Sequence, residues 1–271
     1  MIWYKKIIDS NAVTIGISDF LYIKEKRFFD IVLQSFEKYN SGDKIINVDI
    51  FIRIPDEEEV NCKYLINCDM QSKQWKYWVI HDLSEHFIKV INCTAFHGTG
   101  VVLRDKVILL IGASMAGKTT LAHDLCVKYN AKYIDDDNIF FWDGNCFGLN
   151  FPMALRSNVR EDYSNSIFVD FTDDAVTKDR QLISFYLNEN RMRKVDYIIF
   201  PEFSKQNINS FHKVFGCDLI NRLLKNVKSN SSLDTIYRDV SAYFGKVNAF
   251  EMKYSNSIDA VKLLNQILET G

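Results

Sequence analysis

The sequence is short of chain breakers: 3 Pro and 11 Gly stand among 271 residues, while aromatic side chains are plentiful (20 Phe, 13 Tyr and 4 Trp). This excludes Pro- or Gly-rich linkers and low-complexity tracts, and predicts a ring-rich core. It also lacks an excess of charge of one sign. With 33 Lys and Arg against 35 Asp and Glu the net charge is -2, too little basicity to track the phosphates of nucleic acid or an anionic membrane, so neither is an expected partner. No apolar run approaches the about 18 residues of a membrane span, and no basic stretch followed by an apolar run opens the chain, so the expected location is the cytoplasm. Cys62, Cys68, Cys93, Cys126, Cys146 and Cys217 form no C-x-x-C, which argues against a zinc site or a disulfide framework. Reduced, mostly buried thiols are expected. What remains is a chain 47% hydrophobic and 25% charged, long enough for one large or two modest globular domains, of which two are expected.

Residues 1–93 read as short β-type runs. Val48–Ile54 largely alternates apolar and polar up to Pro55, and Lys63–Asn67 and Trp75–Ile80 read as further strands of an antiparallel module. The acidic run Asp56-Glu57-Glu58-Glu59 suits a solvated loop. Asp82 and Glu85 have capping-box spacing ahead of a helix over His86–Val90. From Thr94 the pattern changes. Ala95–Leu103 and Lys106–Ile111 are predicted buried strands, and Thr120–Tyr129 a helix. Lys132–Ile134 and Ile139–Trp142 are short strands, and Val195–Phe200 is a strand halted by Pro201. Helices are predicted over Asp218–Val227, Leu233–Ala242 and Ile258–Leu268.

The chemistry lies in Gly112-Ala113-Ser114-Met115-Ala116-Gly117-Lys118-Thr119, which satisfies G-x-x-x-x-G-K-[ST] between an apolar strand and a helix that continues through Thr120. Glycines let such a loop wrap a polyphosphate closely, with backbone N–H groups and the helix N-terminus pointing at it. Lys118 then reaches the β- and γ-phosphates and Thr119 holds Mg²⁺ through its hydroxyl, so ATP and Mg²⁺ are the expected cofactors. Asp136 and Asp137 follow Lys118 by 18 and 19 residues, at the end of a predicted strand, where functional groups of parallel sheets gather. Two such carboxylates, Asp136 and Asp137, can divide the work, one organising the metal and one accepting a proton. Without the loop upstream the acidic triplet would read as a solvated turn or an N-cap, and Asp135 is taken as its surface member. His97 lies 21 residues before Lys118, flanked by Phe96 and Gly98. By itself, a histidine in such a setting reads as a satisfied core residue.

The segments from Phe96, from Ile108 and from Tyr133 together resemble the catalytic core of the HPr kinase/phosphorylase superfamily, whose members carry a histidine, a phosphate loop and an Asp-Asp pair in this order. The resemblance implies that His97 is the active-site histidine, Lys118 the loop lysine, Thr119 the metal-binding hydroxyl and Asp136 the proton acceptor. It extends more loosely through Phe151–Arg156, Tyr197–Pro201 and Phe250–Leu264. Arg156 stands where related kinases tend to have a basic residue, as a phosphate ligand or else as a surface ion-pairing group; Arg160, Arg191 and Arg193 receive no role. The glycine-rich second signature that supplies a further metal-binding glutamate in true HPr kinases is missing, so neither HPr as substrate nor phosphorylase activity is carried over. Met115 and Ala116 also replace the usual glycine and small apolar residue.

The fold expected is thus α/β, a P-loop kinase core of the HPr kinase C-terminal type over residues 94–271 preceded by a small β-rich domain over residues 1–93. The activity expected is transfer of the γ-phosphate of ATP to a serine of a peptide or small protein. A small-molecule kinase acting on free serine, or a nucleotide-dependent switch without transfer, are the alternatives, and a homo-oligomer is left open.

Overall fold

In the computed structural model the chain opens with an antiparallel pair, β1 (Ile2–Ile8) and β2 (Asn11–Ile17), then two short helices, α1 (Asp19–Lys24) and α2 (Lys26–Val32). β3 (Glu37–Tyr39), β4 (Val48–Arg53), β5 (Cys62–Asn67) and the 17-residue helix α3 (Trp75–Ile91) follow. The structure describes residues 1–8, 11–39, 48–57, 60–156, 169–177, 180–206, 208–229 and 231–270; Glu58, Glu59 and Arg160 lie outside them. The first sheet has the order β3-β1-β2-β4-β5. It is mixed rather than antiparallel, because β4 runs parallel to both β2 and β5. β4 is buried along its whole length. A strand covered on both faces has no solvent side for polar alternation to mark, and Asp49 and Arg53 lie within it.

Trp75–Ile80, read above as a strand, is the first part of α3. Trp75, Val79, Leu83, Phe87 and Ile91 are buried at four-residue steps with Ile88 beside them, a helical stripe seen only over the whole segment. Locally, its aromatic and β-branched residues resemble a strand. Asp82 therefore sits inside the helix rather than capping it, and the helix predicted over His86–Val90 is its last part.

The second half comprises β6 (Thr94–Phe96), β7 (Gly98–Leu103), β8 (Lys106–Ile111), α4 (Lys118–Tyr129), β9 (Lys132–Asp135), β10 (Ile139–Trp142) and β11 (Asn145–Phe147). Then come β12 (Met153–Arg156), β13 (Val169–Thr177), β14 (Arg180–Phe185), β15 (Tyr197–Phe203) and β16 (Ser210–Val214). The chain ends with α5 (Gly216–Leu224), β17 (Val227–Lys228), α6 (Leu233–Phe244), β18 (Asn248–Tyr254) and α7 (Ser257–Thr270). The result is a mixed α/β protein with four sheets among the described residues. Its central six-stranded sheet has the order β16-β18-β15-β8-β7-β9, in which β8, β15 and β18 run parallel and β7 is antiparallel to both β8 and β9. Val107 to Ile111 of β8 are fully buried, each contributing about 1.5–3 kcal/mol over exposure.

Three expectations change here. The single strand over Ala95–Leu103 is broken at His97, with β6 pairing in one sheet and β7 in another. β15 continues through Pro201 to Phe203: the Pro201 carbonyl oxygen faces Gly112, beyond the last pair with β8 (Ile199 with Leu110), so the missing N–H leaves no gap in that ladder. The helix predicted to Val227 ends at Leu224, and Val227 and Lys228 form β17. All six cysteines are free; Cys68, Cys93, Cys126 and Cys146 are buried, Cys62 is half-buried and Cys217 is exposed. The largest core cluster joins the two halves: Phe28, Phe29, Trp75 and Phe87 share it with Phe140, Phe147, Phe151 and Leu182.

Candidate active site

Strand direction assembles the site. Because β7 is antiparallel to β8 and β9, its beginning lies beside their ends: Gly98 pairs with Ile111 and Gly100 with Asp135. The loop leaving β8, the acids leaving β9 and His97 entering β7 therefore share one sheet edge. The loop closes at Gly117, whose φ of 93° favours glycine and whose missing Cβ leaves room for the Tyr254 hydroxyl, which donates to the Gly117 carbonyl at 3.2 Å. Gly117 caps α4 without a side-chain bond, and the helix presents the positive end of its dipole there. Ala113, Ser114 and Met115 are exposed on the crown of the loop, and Met115 also adopts positive φ. Gly112 and Ala116 are half-buried beneath it.

Lys118 is buried, and its ammonium donates to the Gly112 and Ala113 carbonyls at 2.9 and 3.0 Å and lies 3.3 Å from His97 Nε2. Thr119 donates to Asp136 at 3.1 and 3.3 Å, and Thr99 Oγ1 also donates to Asp136. Thr120 follows in the first turn of α4, half-buried. Burial, followed by the neighbouring charge of Asp137, lifts the Asp136 carboxyl to about 7 against the bonds from Thr99 and Thr119 and the Lys118 charge. Lys118 is pushed down by burial, opposed by Asp136 and Asp137, and His97 is pushed down by burial and by Lys118. His97 Nδ1 lies 3.9 Å from Asp137, which sits at positive φ and is half-exposed.

Asp135 is not the surface member of the triplet: it is 1% exposed. Its two oxygens accept the Asp136 N–H at 2.9 Å and the Leu149 N–H at 2.6 Å, pinning the turn that delivers Asp136. Burial holds its pKa well above the usual carboxylate range. The close approach is possible because Gly148 lies flat against Ile134, where a Cβ would strike the Ile134 carbonyl.

Asp136 and Asp137 open into a cavity of about 250 Å³. Tyr77, His81 and Ser84 of α3 wall it, with Arg180 and Lys228. The Arg180 guanidinium lies over the Tyr77 ring at 5.3 Å, and Lys228 pairs with Glu85 at 3.0 Å. These groups were not found from sequence; they belong to no motif and lie far along the chain from the loop. Arg156 is exposed and does not line the cavity, although it pairs with Arg180 in the β12–β14 ladder. Arg191 and Arg193 are engaged by Glu189, and Arg193 also by Asp105.

A larger cavity of about 420 Å³ lies elsewhere, between Thr94, the β10–β11 turn and α6, lined by Phe96, Phe141, Tyr243 and Phe244. No loop residue reaches it, so convergence of charged groups rather than volume locates the candidate site.

Comparison with protein-family models and with curated proteins finds no match. Among solved structures the chain is similar to the Hpr(Ser) kinase/phosphatase from Coxiella burnetii, with 11% identity and a TM-score of 0.29 over 65% of this chain and 92% of that one. A likeness of that size leaves the chemistry to be argued from the side chains described above.

Proposed function

We propose that the chain is an ATP- and Mg²⁺-dependent phosphotransferase that passes the γ-phosphoryl group to a hydroxyl, that of a serine in a peptide or small protein. One observation carries the reading: Thr119 and Asp136, 17 residues apart, meet at 3.1 Å beside a buried Lys118 held by the loop carbonyls and His97. The oxygens present fit Mg²⁺, which prefers hard ligands and keeps waters and substrate phosphates. Bound ATP and Mg²⁺ supply the transferable group and positive charge across its oxygens.

Within this reading, the Gly112–Thr119 backbone seats the phosphates, Lys118 neutralises charge on the transferring group, and Thr119 and Asp137 hold the metal. Asp136, held near 7, accepts the proton of the attacking hydroxyl. His97, kept neutral by burial and Lys118, aligns the lysine. Residues 94–271 carry the transfer groups, and residues 1–93 contribute the α3 wall against which the acceptor lies.

A second reading rests on cavity size. About 250 Å³ is small for a ligand pocket and admits one side chain or a compact free hydroxyl compound such as serine. Transfer of label from γ-labelled ATP to seryl peptides, and separately to free serine, tests both readings. Label on either acceptor supports a kinase; ATP binding without label on any hydroxyl acceptor would leave a nucleotide-dependent switch instead.

A further inference from the structure

Phe203 is the last residue of β15. It is 49% exposed. Its Cβ lies 3.5 Å from where a Cβ on Gly117 would stand, so it flanks the loop directly. The ring meets the Tyr254 ring in a T-shaped contact with centroids 5.9 Å apart, and Tyr254 is tied to the Gly117 carbonyl. The other large apolar side chain exposed at the loop is Met115, 75% exposed on the crown.

The sheet order gives this ring a purpose. Asp136 and Asp137 follow β9, two strands from β8 on one side, whereas Phe203 ends β15, the neighbour of β8 on the other. Strands lie about 4.8 Å apart, so the acids and the ring flank the loop from opposite directions. A nucleotide whose terminal phosphate lies at Thr119 and Asp136 has to run away from them, over the loop and toward β15.

Resting on the phosphate-loop reading above, we infer that Phe203 is the platform on which the nucleotide base stacks. A half-exposed ring packed against a second, tethered ring offers a base dispersion and π contact with little ordering cost. The ring adds affinity for the nucleoside end and none for the phosphates.

Calorimetric titration of the full chain with Mg²⁺·ATP and with Mg²⁺·tripolyphosphate tests this. The wild type is expected to bind both, ATP more tightly. Phe203→Ala is expected to weaken ATP about 5- to 150-fold, the range for losing one base–aromatic stack, and to leave tripolyphosphate unchanged. Phe203→Trp, which keeps a ring, is expected to retain ATP affinity. Unchanged ATP affinity in Phe203→Ala, or equal weakening of both ligands, would overturn the inference while sparing the phosphate loop. A wild type that binds neither ligand would overturn the loop reading and the stacking inference together.

Discussion

The two ends of α4 treat their charged groups in opposite ways. At the N-terminal end, burial works against Lys118 and His97, and burial together with Asp137 lifts Asp136 to about 7. In the C-terminal half, burial also disfavours the Asp124 carboxylate, yet bonds from His123, Ser257 and Lys128 outweigh it and hold Asp124 at about 2. One helix thus adjoins a cluster in which burial prevails over the favourable contacts, and carries a carboxylate whose bonds prevail over burial. On the function proposed above, the first arrangement serves chemistry and the second serves structure.

Substitutions at the two ends separate these roles. The largest effect is expected from Lys118→Ala, which should reduce phosphoryl transfer to background while the far-UV spectrum and melting temperature stay near wild type; normal turnover would show that the loop does no chemistry. Asp136→Asn comes next. It keeps the shape but cannot take a proton, so the transfer rate should fall about 10²–10⁴-fold with nucleotide affinity changed far less. Equal loss of nucleotide binding would make Asp136 chiefly a metal organiser.

Asp124→Asn should behave in the reverse manner. A carboxyl lowered to about 2 adds stability above its unfolded value near 3.8, and that stability disappears as the pH falls from about 4 to 2. Denaturant melts should therefore show a loss of about 2 kcal/mol at neutral pH and a flatter acid limb, with turnover per folded molecule unchanged. Loss of turnover out of proportion to unfolding would erase the distinction between the two ends. The smallest effect belongs to Arg156→Gln, at an exposed position outside the cavity: stability should move by less than about 0.5 kcal/mol and transfer by less than about tenfold. A larger fall in transfer would bring Arg156 into the site from beyond the cavity rim.

Local features were the legible ones. Strand β8, the loop and α4 are contiguous, and each carries its own signal: a buried apolar run, two glycines at fixed spacing, and a helical stretch. Trp75–Ile80 misled because its rings and β-branched residues fit a strand, and only burial continuing to Ile91 reveals the helical stripe. Asp135 misled for a related reason. In sequence it is one of three acids, and nothing local signals that Gly148 and Leu149 close over it.

Composition, the glycine spacing and the order of His97, Lys118 and Asp136 along the chain were readable without coordinates, because backbone freedom at glycine and the charge of each side chain are properties of the residues themselves. Their convergence was not. It depends on β7 running antiparallel between β8 and β9, which places the start of one strand beside the ends of two others. The same holds for the α3 wall, for Arg180 and Lys228 in the cavity, and for the rise of Asp136 to about 7. Dielectric surroundings and charge separations arise when distant segments pack, and no residue carries them alone.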